Sequence, residues 1–400
     1  AVGACLVLLL CAVLFACAGL VGLFVSDRSA SPAPTTLVIG YPRPTTLSPS
    51  ATPAPLPESG EAATTPVAPA VGNHALALLS QTVVPTRDVA DLAERLRPGV
   101  GPIPRVVRET PIPYRLGDVE TFWASNQDTN RHFQIQARLL YMTAHVYMWV
   151  EEGVQVNQRD LEASAKRFEE QTYPLNRQFF GSEWTPGVDG DPRLFILHAR
   201  DLGAWVAGYY SSADQYPRLA HPYSNEREMF YINADNVKPN TLFYDSVLAH
   251  EFQHMIHWHQ DRNEESWVNE GMSELAAQLN GYERGTGVVA FTSAPYTQLN
   301  TWTDDEDKNS AHYAGSYLFM SYFLDRFGEE ATRAVVASDL NGIAGFDDAL
   351  AQMERPERFD EIFADWLIAN LLDDTRLLDG RFGYETLDPR LVSPAIVHQR

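Results

Sequence analysis

The chain has 400 residues, and its 30 Lys and Arg against 52 Asp and Glu give a formal net charge of −22 at pH 7. This acidic balance argues against a nucleic-acid partner and against charge-driven binding to anionic lipid. All three cysteines fall within residues 1–25, so disulfides are excluded as the source of stability in the rest of the chain. A large apolar core must provide that stability, and the length is sufficient to bury one.

The first predicted element is an apolar segment. Residues 1–25 carry no charged side chain and consist mainly of Leu, Val, Ala and Phe. A run of this length can span a bilayer, so we expect a transmembrane anchor or a signal segment and an extracytoplasmic protein, membrane-anchored or secreted. Residues 26–72 are rich in Pro, Thr, Ser and Ala, which predicts a disordered linker. The prolines of residues 73–112 indicate an extended connection or a pro-segment.

Residues 113–260 show a mixture of strand and helix patterns. Phe133 to Val150, Arg193 to Leu197 and Met229 to Asn233 are rich in β-branched and aromatic residues, which is typical of strands. Asn157 is predicted to cap a helix that extends to about Arg177. This part of the chain is therefore expected to contain a sheet.

Two short acidic runs are candidate calcium sites. They read Asp304-Asp305-Glu306-Asp307 and Asp189-Gly190-Asp191. Neither has the ligand series of a dedicated calcium loop, so we interpret both as solvated turns. Calcium is possible at these runs, but the sequence does not support it.

The most informative segment reads His250-Glu251-Phe252-Gln253-His254. Residues 241–260 lack Gly and Pro, and Asn240 or Thr241 can cap them, so we predict a helix. Two histidines four residues apart then lie on one face, close enough for both imidazoles to bind one tetrahedral Zn²⁺. Glu251 projects beside them and is placed to take a proton from a zinc-bound water.

A catalytic zinc ion needs a third protein ligand and an open fourth position. The segment 267–280 predicts a second helix, and it carries Glu270 and Glu274 four residues apart on one face. We assign Glu270 to the metal and Glu274 to the orientation of a ligand histidine. The metzincin arrangement is excluded, because it requires Gly and a metal ligand where this chain has His257 and Gln260. We interpret His257 and the nearby His259 as the polar end of the first helix.

The two segments together resemble the gluzincin metallopeptidases, the thermolysin-like enzymes. In those enzymes the pattern His-Glu-x-x-His is followed by a helix with Asn-Glu-x-x-Ser-Asp, and this chain has Asn269-Glu270-Gly271-Met272-Ser273-Glu274. Glu replaces the final Asp, and the gap before Glu270 is shorter than in thermolysin. The residues around both motifs are more similar to those of the hyicolysin-type bacterial metallopeptidases.

The remaining pattern fits the fold that this resemblance implies. Apolar residues at helical spacing predict four further helices. We therefore expect an α+β, zincin-like fold in which a sheet-bearing half, 113–260, ends in the zinc helix. A mainly helical half, 261–400, follows and supplies the third ligand, and the active-site cleft is expected between the two. The four further helices are predicted over 313–327, 329–338, 346–353 and 357–372.

The resemblance also implies residues that act on a substrate. In such enzymes the strand before the zinc helix binds extended peptide at its edge, so Phe230, Tyr231 and Ile232 are the candidates here, with an ordinary edge strand as the alternative. A Tyr or His on a later helix stabilises the oxyanion. Tyr313 is the first candidate for that role and His312 the second.

The sequence thus predicts a zinc-dependent metallopeptidase with one Zn²⁺ per chain, a polypeptide substrate and Glu251 as the base. We expect an endopeptidase rather than an aminopeptidase. Two alternatives stay open: an anchored zinc-containing binding or adhesion module without proteolytic activity, and a zinc amidase that acts on a non-peptide or cell-wall substrate.

Overall fold

The computed structural model describes residues 87–387 apart from 283–287 and 304–305, together with four positions between 75 and 82. Of residues 306–308 only the backbone is described. The predictions for residues 1–25, for the linker 26–72 and for the acidic side chains at 304–307 therefore lie outside the described residues. Among the helices that are described, none is both long and apolar enough to cross a membrane.

A six-stranded mixed sheet forms the first part of the described chain. The β1–β2–β3 meander is antiparallel, β3, β4 and β6 run parallel to one another, and β5 is antiparallel to β6. The strands predicted from the sequence are confirmed, whereas β1 and β5 were not predicted. In the spatial order β1-β2-β3-β4-β6-β5, the strands are β1 Val119–Asn126, β2 Arg131–Met142, β3 Val146–Glu151, β4 Leu194–Ala199, β6 Met229–Asn233 and β5 Gly208–Tyr210.

The central strands are apolar on both faces because each face covers a separate core. On β3 and β4, Trp149 and Phe195 point into one core, while Met148 and Ile196 point into the other, which the helices complete. Successive side chains of a strand alternate between faces, so a strand buried on both sides reads as a continuous apolar run. This explains why these strands were recognisable in the sequence.

Helices follow the last strand, so the described chain is a mixed α and β protein. The helix predicted over 241–260 is confirmed as α4 and the helix predicted over 267–280 as α5, each within one residue at either end. Gly328 interrupts α7 with φ 81°, at the point where the sequence predicted two separate helices. The helices are α1 Val89–Leu96, α2 Gln158–Arg167, α3 Tyr173–Phe180, α4 Leu242–Gln260, α5 Ser266–Leu279, α6 Val289–Ser293, α7 Glu306–Val336, α8 Ile343–Gln352 and α9 Phe359–Leu372, with a π-helical turn, Phe168–Thr172, between α2 and α3.

Part of the segment 73–112 is helical rather than extended. Asp88 caps α1 by accepting hydrogen bonds from two backbone N–H groups, and Ala90 and Ala93 are buried in the larger core. Further along, the backbone N–H of Val107 donates to the carbonyl oxygen of Val188 at 2.7 Å. The proline content predicted an extended connection. Over residues 89–96, however, the Asp88 cap and the small apolar residues of α1 favour a helix.

Asp189 and Asp191 do not form a solvated turn, so that interpretation is wrong. Both side chains are buried. Asp189 lies 3.6 Å from the guanidinium of Arg108, and Asp191 accepts a hydrogen bond from the Tyr147 hydroxyl at 3.0 Å and lies 3.6 Å from Arg193. Buried carboxylates need compensating partners, and here guanidinium and hydroxyl groups provide them instead of a metal cation.

The prediction of a substrate-binding edge at β6 is also wrong. Phe230, Tyr231 and Ile232 are buried, and β6 pairs with β4 on one side and β5 on the other. Its backbone groups are therefore already used within the sheet. Sequence reasoning missed β5 because this strand has only three residues.

A buried carboxyl ties the loop before β6 to the far edge of the sheet. Asp214 accepts hydrogen bonds from the Tyr231 hydroxyl at 2.7 Å and from the backbone N–H of Asn225 at 2.7 Å. The Asn225 side chain in turn pairs with both backbone groups of Trp123 on β1, at 2.8 and 2.9 Å. Burial raises the pKa of Asp214 to about 6, although these hydrogen bonds oppose the rise.

Asp214→Asn is expected to remove a pH dependence of stability. The pKa of Asp214 is higher in the folded chain than in the unfolded chain. The protonated carboxyl therefore adds fully to the free energy of unfolding below about pH 4, and this stabilisation is lost as the pH rises through 6. The wild-type free energy of unfolding, measured relative to the variant in urea, should therefore fall by about 2 kcal/mol between pH 4 and 7. A constant difference across that range would contradict the assignment.

Candidate metal centre

The helix α4 holds the His-Glu-x-x-His segment rigidly in the interior. The Thr241 side chain caps its start by accepting from the backbone N–H of Tyr244 at 3.1 Å, which decides between the two predicted caps. Every residue from Tyr244 to Trp258 is buried. A helix that is buried all round packs on several neighbours, and α4 contacts β5, α3 and α5.

A close approach between α5 and α7 brings a second and a third helix to the same place. A Cβ atom on Gly271 would lie 3.0 Å from the backbone oxygen of Ser316 and 2.8 Å from the Met320 side chain. Only glycine allows this spacing without a shift of one helix. Glu270, next to this glycine, is thereby set between α4 and α7.

Three predicted ligands, His250, His254 and Glu270, meet in a buried group. The two Nε2 atoms are 2.9 Å apart, and Glu270 Oε2 lies 3.2 Å from Nε2 of His250 and 3.4 Å from Nε2 of His254. Ligand atoms at ordinary Zn–N and Zn–O distances around a tetrahedral ion are about 3.3 Å apart. The three atoms therefore have a spacing that fits one small metal ion.

The hydrogen bonds behind the ligands support the same conclusion. His254 Nδ1 contacts Oδ1 of Asn269, which can only accept, so Nδ1 carries the proton and Nε2 keeps its lone pair. His250 Nδ1 faces the Glu274 carboxylate at 3.6 Å. The lone pair of His254 Nε2 and the carboxylate oxygen Oε2 of Glu270, which has no hydrogen-bond partner, then face each other. Such atoms repel unless a cation lies among them, so the donor set is compatible with a metal ion.

The charge state of His250 suits metal binding. Burial lowers the pKa of His250 to about 4, which keeps its ring neutral. Metal ligands must be deprotonated, and the His250 ring is so at neutral pH.

The groups that orient His254 include residues to which the sequence reasoning gave no role. Asn269 and Ser273 both contact Nδ1 of His254, the latter at 2.9 Å, and Ser273 also donates to the amide oxygen of Gln253. Asn269 and Ser273 stand in the Asn-Glu-x-x-Ser pattern that carried the resemblance. That pattern was therefore a signal that could have found them, whereas nothing in the sequence marked Gln253.

Glu251 is a buried carboxyl beside the ligand cluster but not within it. It accepts a hydrogen bond from the backbone N–H of Tyr210 on β5. Burial raises its pKa well above the usual value, and the negative charges of Glu270 and Glu274 add to the rise. A carboxyl with this affinity for a proton suits a general base, since its conjugate acid can give the proton back.

The structure brings Tyr313 to the cluster and keeps His312 away from it. The Tyr313 hydroxyl donates to Glu270, and burial together with the charges of Glu270, Glu274 and Glu251 raises its pKa well above the usual value. His312 instead bonds the backbone of Thr301, and its ring lies 5.5 Å from that of Trp302. Adjacent residues of a helix point about 100° apart, so only one of this pair can face the metal centre.

Two other predictions about nearby residues have different outcomes. His257 is fully buried, so its interpretation as part of a polar helix end is wrong. His259, two residues further on, is exposed and agrees with that interpretation.

The fold and the site define a class: a mixed α and β protein with a buried His, His, Glu group that can hold a metal ion and an additional buried glutamate beside it. The chain is similar to "Neutral metalloprotease ShpI" of Staphylococcus hyicus, with 24% identity over 272 residues. The alignment covers 61% of this chain and 60% of that protein, so the chain spans less than two thirds of this relative. No protein-family model matches the chain.

Proposed function

We propose that the chain is a zinc-dependent metallopeptidase that hydrolyses peptide bonds inside polypeptides. The observation that carries this proposal is the convergence of His250, His254 and Glu270 beside two further buried groups, Glu251 and Tyr313. The similarity to a protein named as a neutral metalloprotease supports the reaction class. The apolar segment 1–25 supports an extracytoplasmic location.

The number of ligands favours a catalytic ion over a structural one. Within the described residues, the group contains three side chains of the metal-binding types and no fourth. Structural zinc sites are closed by four protein ligands, whereas catalytic sites leave one position open. Glu251 would also have no role in a purely structural site. This argues against the binding or adhesion module.

Bound Zn²⁺ would lower the pKa of a water molecule and polarise a substrate carbonyl. The chain's own residues supply the remaining steps. Glu251 takes the proton from the attacking water and then delivers it to the leaving amine, so its carboxyl returns to the starting state. The Tyr313 hydroxyl turns from Glu270 to the oxygen that becomes negative as the carbonyl carbon becomes tetrahedral. Its raised pKa keeps it a donor.

A library of N-terminally acetylated, internally quenched peptides tests the proposal on the full chain. Internal cleavage is expected, because an endopeptidase does not need a free amino terminus. Activity should be lost with 1,10-phenanthroline, return on addition of Zn²⁺, and persist with the 1,7-isomer, which cannot chelate. One bound zinc ion without cleavage of any peptide would overturn the proposal in favour of a binding module. Hydrolysis of non-peptide amides alone would favour the amidase.

A further inference from the structure

An aromatic residue of the segment between α6 and α7 packs against the side chain that the proposed mechanism uses as the oxyanion donor. The indole centroid of Trp302 lies 4.9 Å from the ring centroid of Tyr313, in an edge-to-face arrangement. The Tyr313 hydroxyl in turn donates to Glu270. A single side chain therefore separates Trp302 from the candidate metal ligands.

The indole is held against α7 through two adjacent residues of that helix. Besides its contact with Tyr313, Trp302 has its ring centroid 5.5 Å from that of His312, which bonds the backbone of Thr301. Leu299, slightly earlier in the segment, is buried. The orientation of the indole is thus fixed within the folded chain, as is required of a group that forms the wall of a pocket.

Part of the indole remains open to solvent. Trp302 is half-buried, whereas Tyr313 beside it is only 3% exposed. Isolated apolar side chains on a protein surface need no special explanation. This one, however, lies beside buried polar groups that can carry out a reaction, and ligand sites typically combine an apolar or aromatic lining with a few such groups.

The proposed reaction brings a peptide within reach of the exposed part of the indole. To be stabilised by Tyr313, the oxygen of the scissile carbonyl must come to about 3 Å from the tyrosine hydroxyl. In an extended peptide, successive residues are about 3.3 Å apart and their side chains point to opposite sides. Of the two residues joined by the scissile bond, only one can therefore direct its side chain towards Trp302.

We infer that Trp302 is a specificity-determining residue, whose indole forms one wall of the pocket for the side chain on one side of the scissile bond. The inference rests on the proposed function and deepens it. Aromatic and large aliphatic side chains bury apolar area against an indole, and aromatic ones can also pack edge-to-face or offset on it. The enzyme therefore prefers such residues at this one position. Trp302 itself takes no part in proton transfer or in oxyanion stabilisation.

Trp302→Ala tests the inference with two sets of internally quenched peptides, in which one or the other residue flanking the scissile bond is varied. The ratio of kcat/KM for Phe to that for Ala should fall about tenfold at one position and stay unchanged at the other. The unchanged position serves as an internal control, and mass spectrometry of the products verifies the cleaved bond. The zinc content should equal that of the wild type, because Trp302 is outside the ligand group.

Trp302→Arg provides a change of preference rather than a loss. The guanidinium is planar and can pack on the Tyr313 ring, and it places a positive charge at the pocket wall. At the position affected by Trp302→Ala, the preference should shift from Phe towards Glu. A side chain that only supports Tyr313 could not cause this shift. Tyr296→Ala, at an 81% exposed position of the same segment, is the control and should leave all ratios unchanged.

A uniform loss of kcat with every peptide in Trp302→Ala, with both ratios unchanged, would overturn the inference, because the indole would then only support Tyr313. Wild-type ratios in Trp302→Arg would overturn it as well, and so would a wild type without a preference at either position. Trp302→Phe keeps a smaller ring, should show an intermediate ratio, and keeps the inference testable if Trp302→Ala does not fold. Failure of the wild-type chain to cleave any peptide would instead refute the proposed function.

Discussion

Glu251→Gln is expected to lower kcat by about 10³- to 10⁴-fold and to leave the metal in place. Gln has the shape of Glu and can still accept the hydrogen bond from the backbone of Tyr210. It cannot take a proton from the attacking water. Because Glu251 lies outside the ligand group, the affinity for zinc should not depend on it. The measurements are kcat and KM on a quenched peptide, and zinc content by mass spectrometry.

Glu330→Gln provides the matched control for this experiment. It makes the same chemical change at an exposed position of α7, and it should retain wild-type activity. Turnover by Glu251→Gln at a rate near that of the wild type would show that another group accepts the proton. Loss of zinc from Glu251→Gln would show that the carboxylate takes part in binding the ion.

The helices that carry the candidate metal ligands were predictable because the residues that define each helix are close together in the sequence. A cap, the absence of Gly and Pro, and histidines four residues apart determine both the helix and the face on which the ligands lie. Glu270 was found in the same way, from a second helical pattern at a short distance. The triangle formed by His250, His254 and Glu270 required only that these two helices pack together.

The errors concern burial and strand order, which depend on residues far away in the sequence. Nothing near β6 indicates that the three-residue β5 covers its outer edge. Asp189 appeared to be a solvent-exposed turn residue because Arg108, its ion-pair partner, is distant in the chain. His257 looked like a polar helix end for the same reason, since only the tertiary structure buries it.

The choice between Tyr313 and His312 also required the tertiary structure. Both lie on the same helix and both can donate a hydrogen bond, so the sequence could only rank them. The rotation of α7 is set where Gly271 on α5 meets Ser316, one turn beyond His312. This packing turns the hydroxyl of Tyr313 towards Glu270.

Tyr313→Phe is therefore expected to reduce kcat by about 10²-fold or more with little change in KM. The phenyl ring can keep the edge-to-face contact with Trp302, whose ring centroid is 4.9 Å away, so the packing is preserved. Only the donor to the developing oxyanion is lost. A donor that acts in the transition state lowers kcat, whereas one that holds the substrate raises KM.

His312→Gln is the partner experiment, since it changes the neighbouring candidate and keeps a side chain that can bond the Thr301 backbone. Its activity should stay close to that of the wild type, because His312 has no contact with the ligand group. The zinc content of Tyr313→Phe must be measured alongside, because the hydroxyl also donates to Glu270. If Tyr313→Phe loses zinc and regains full activity when zinc is in excess, Tyr313 supports a ligand and does not stabilise the oxyanion. If only His312→Gln loses activity, the two roles are exchanged.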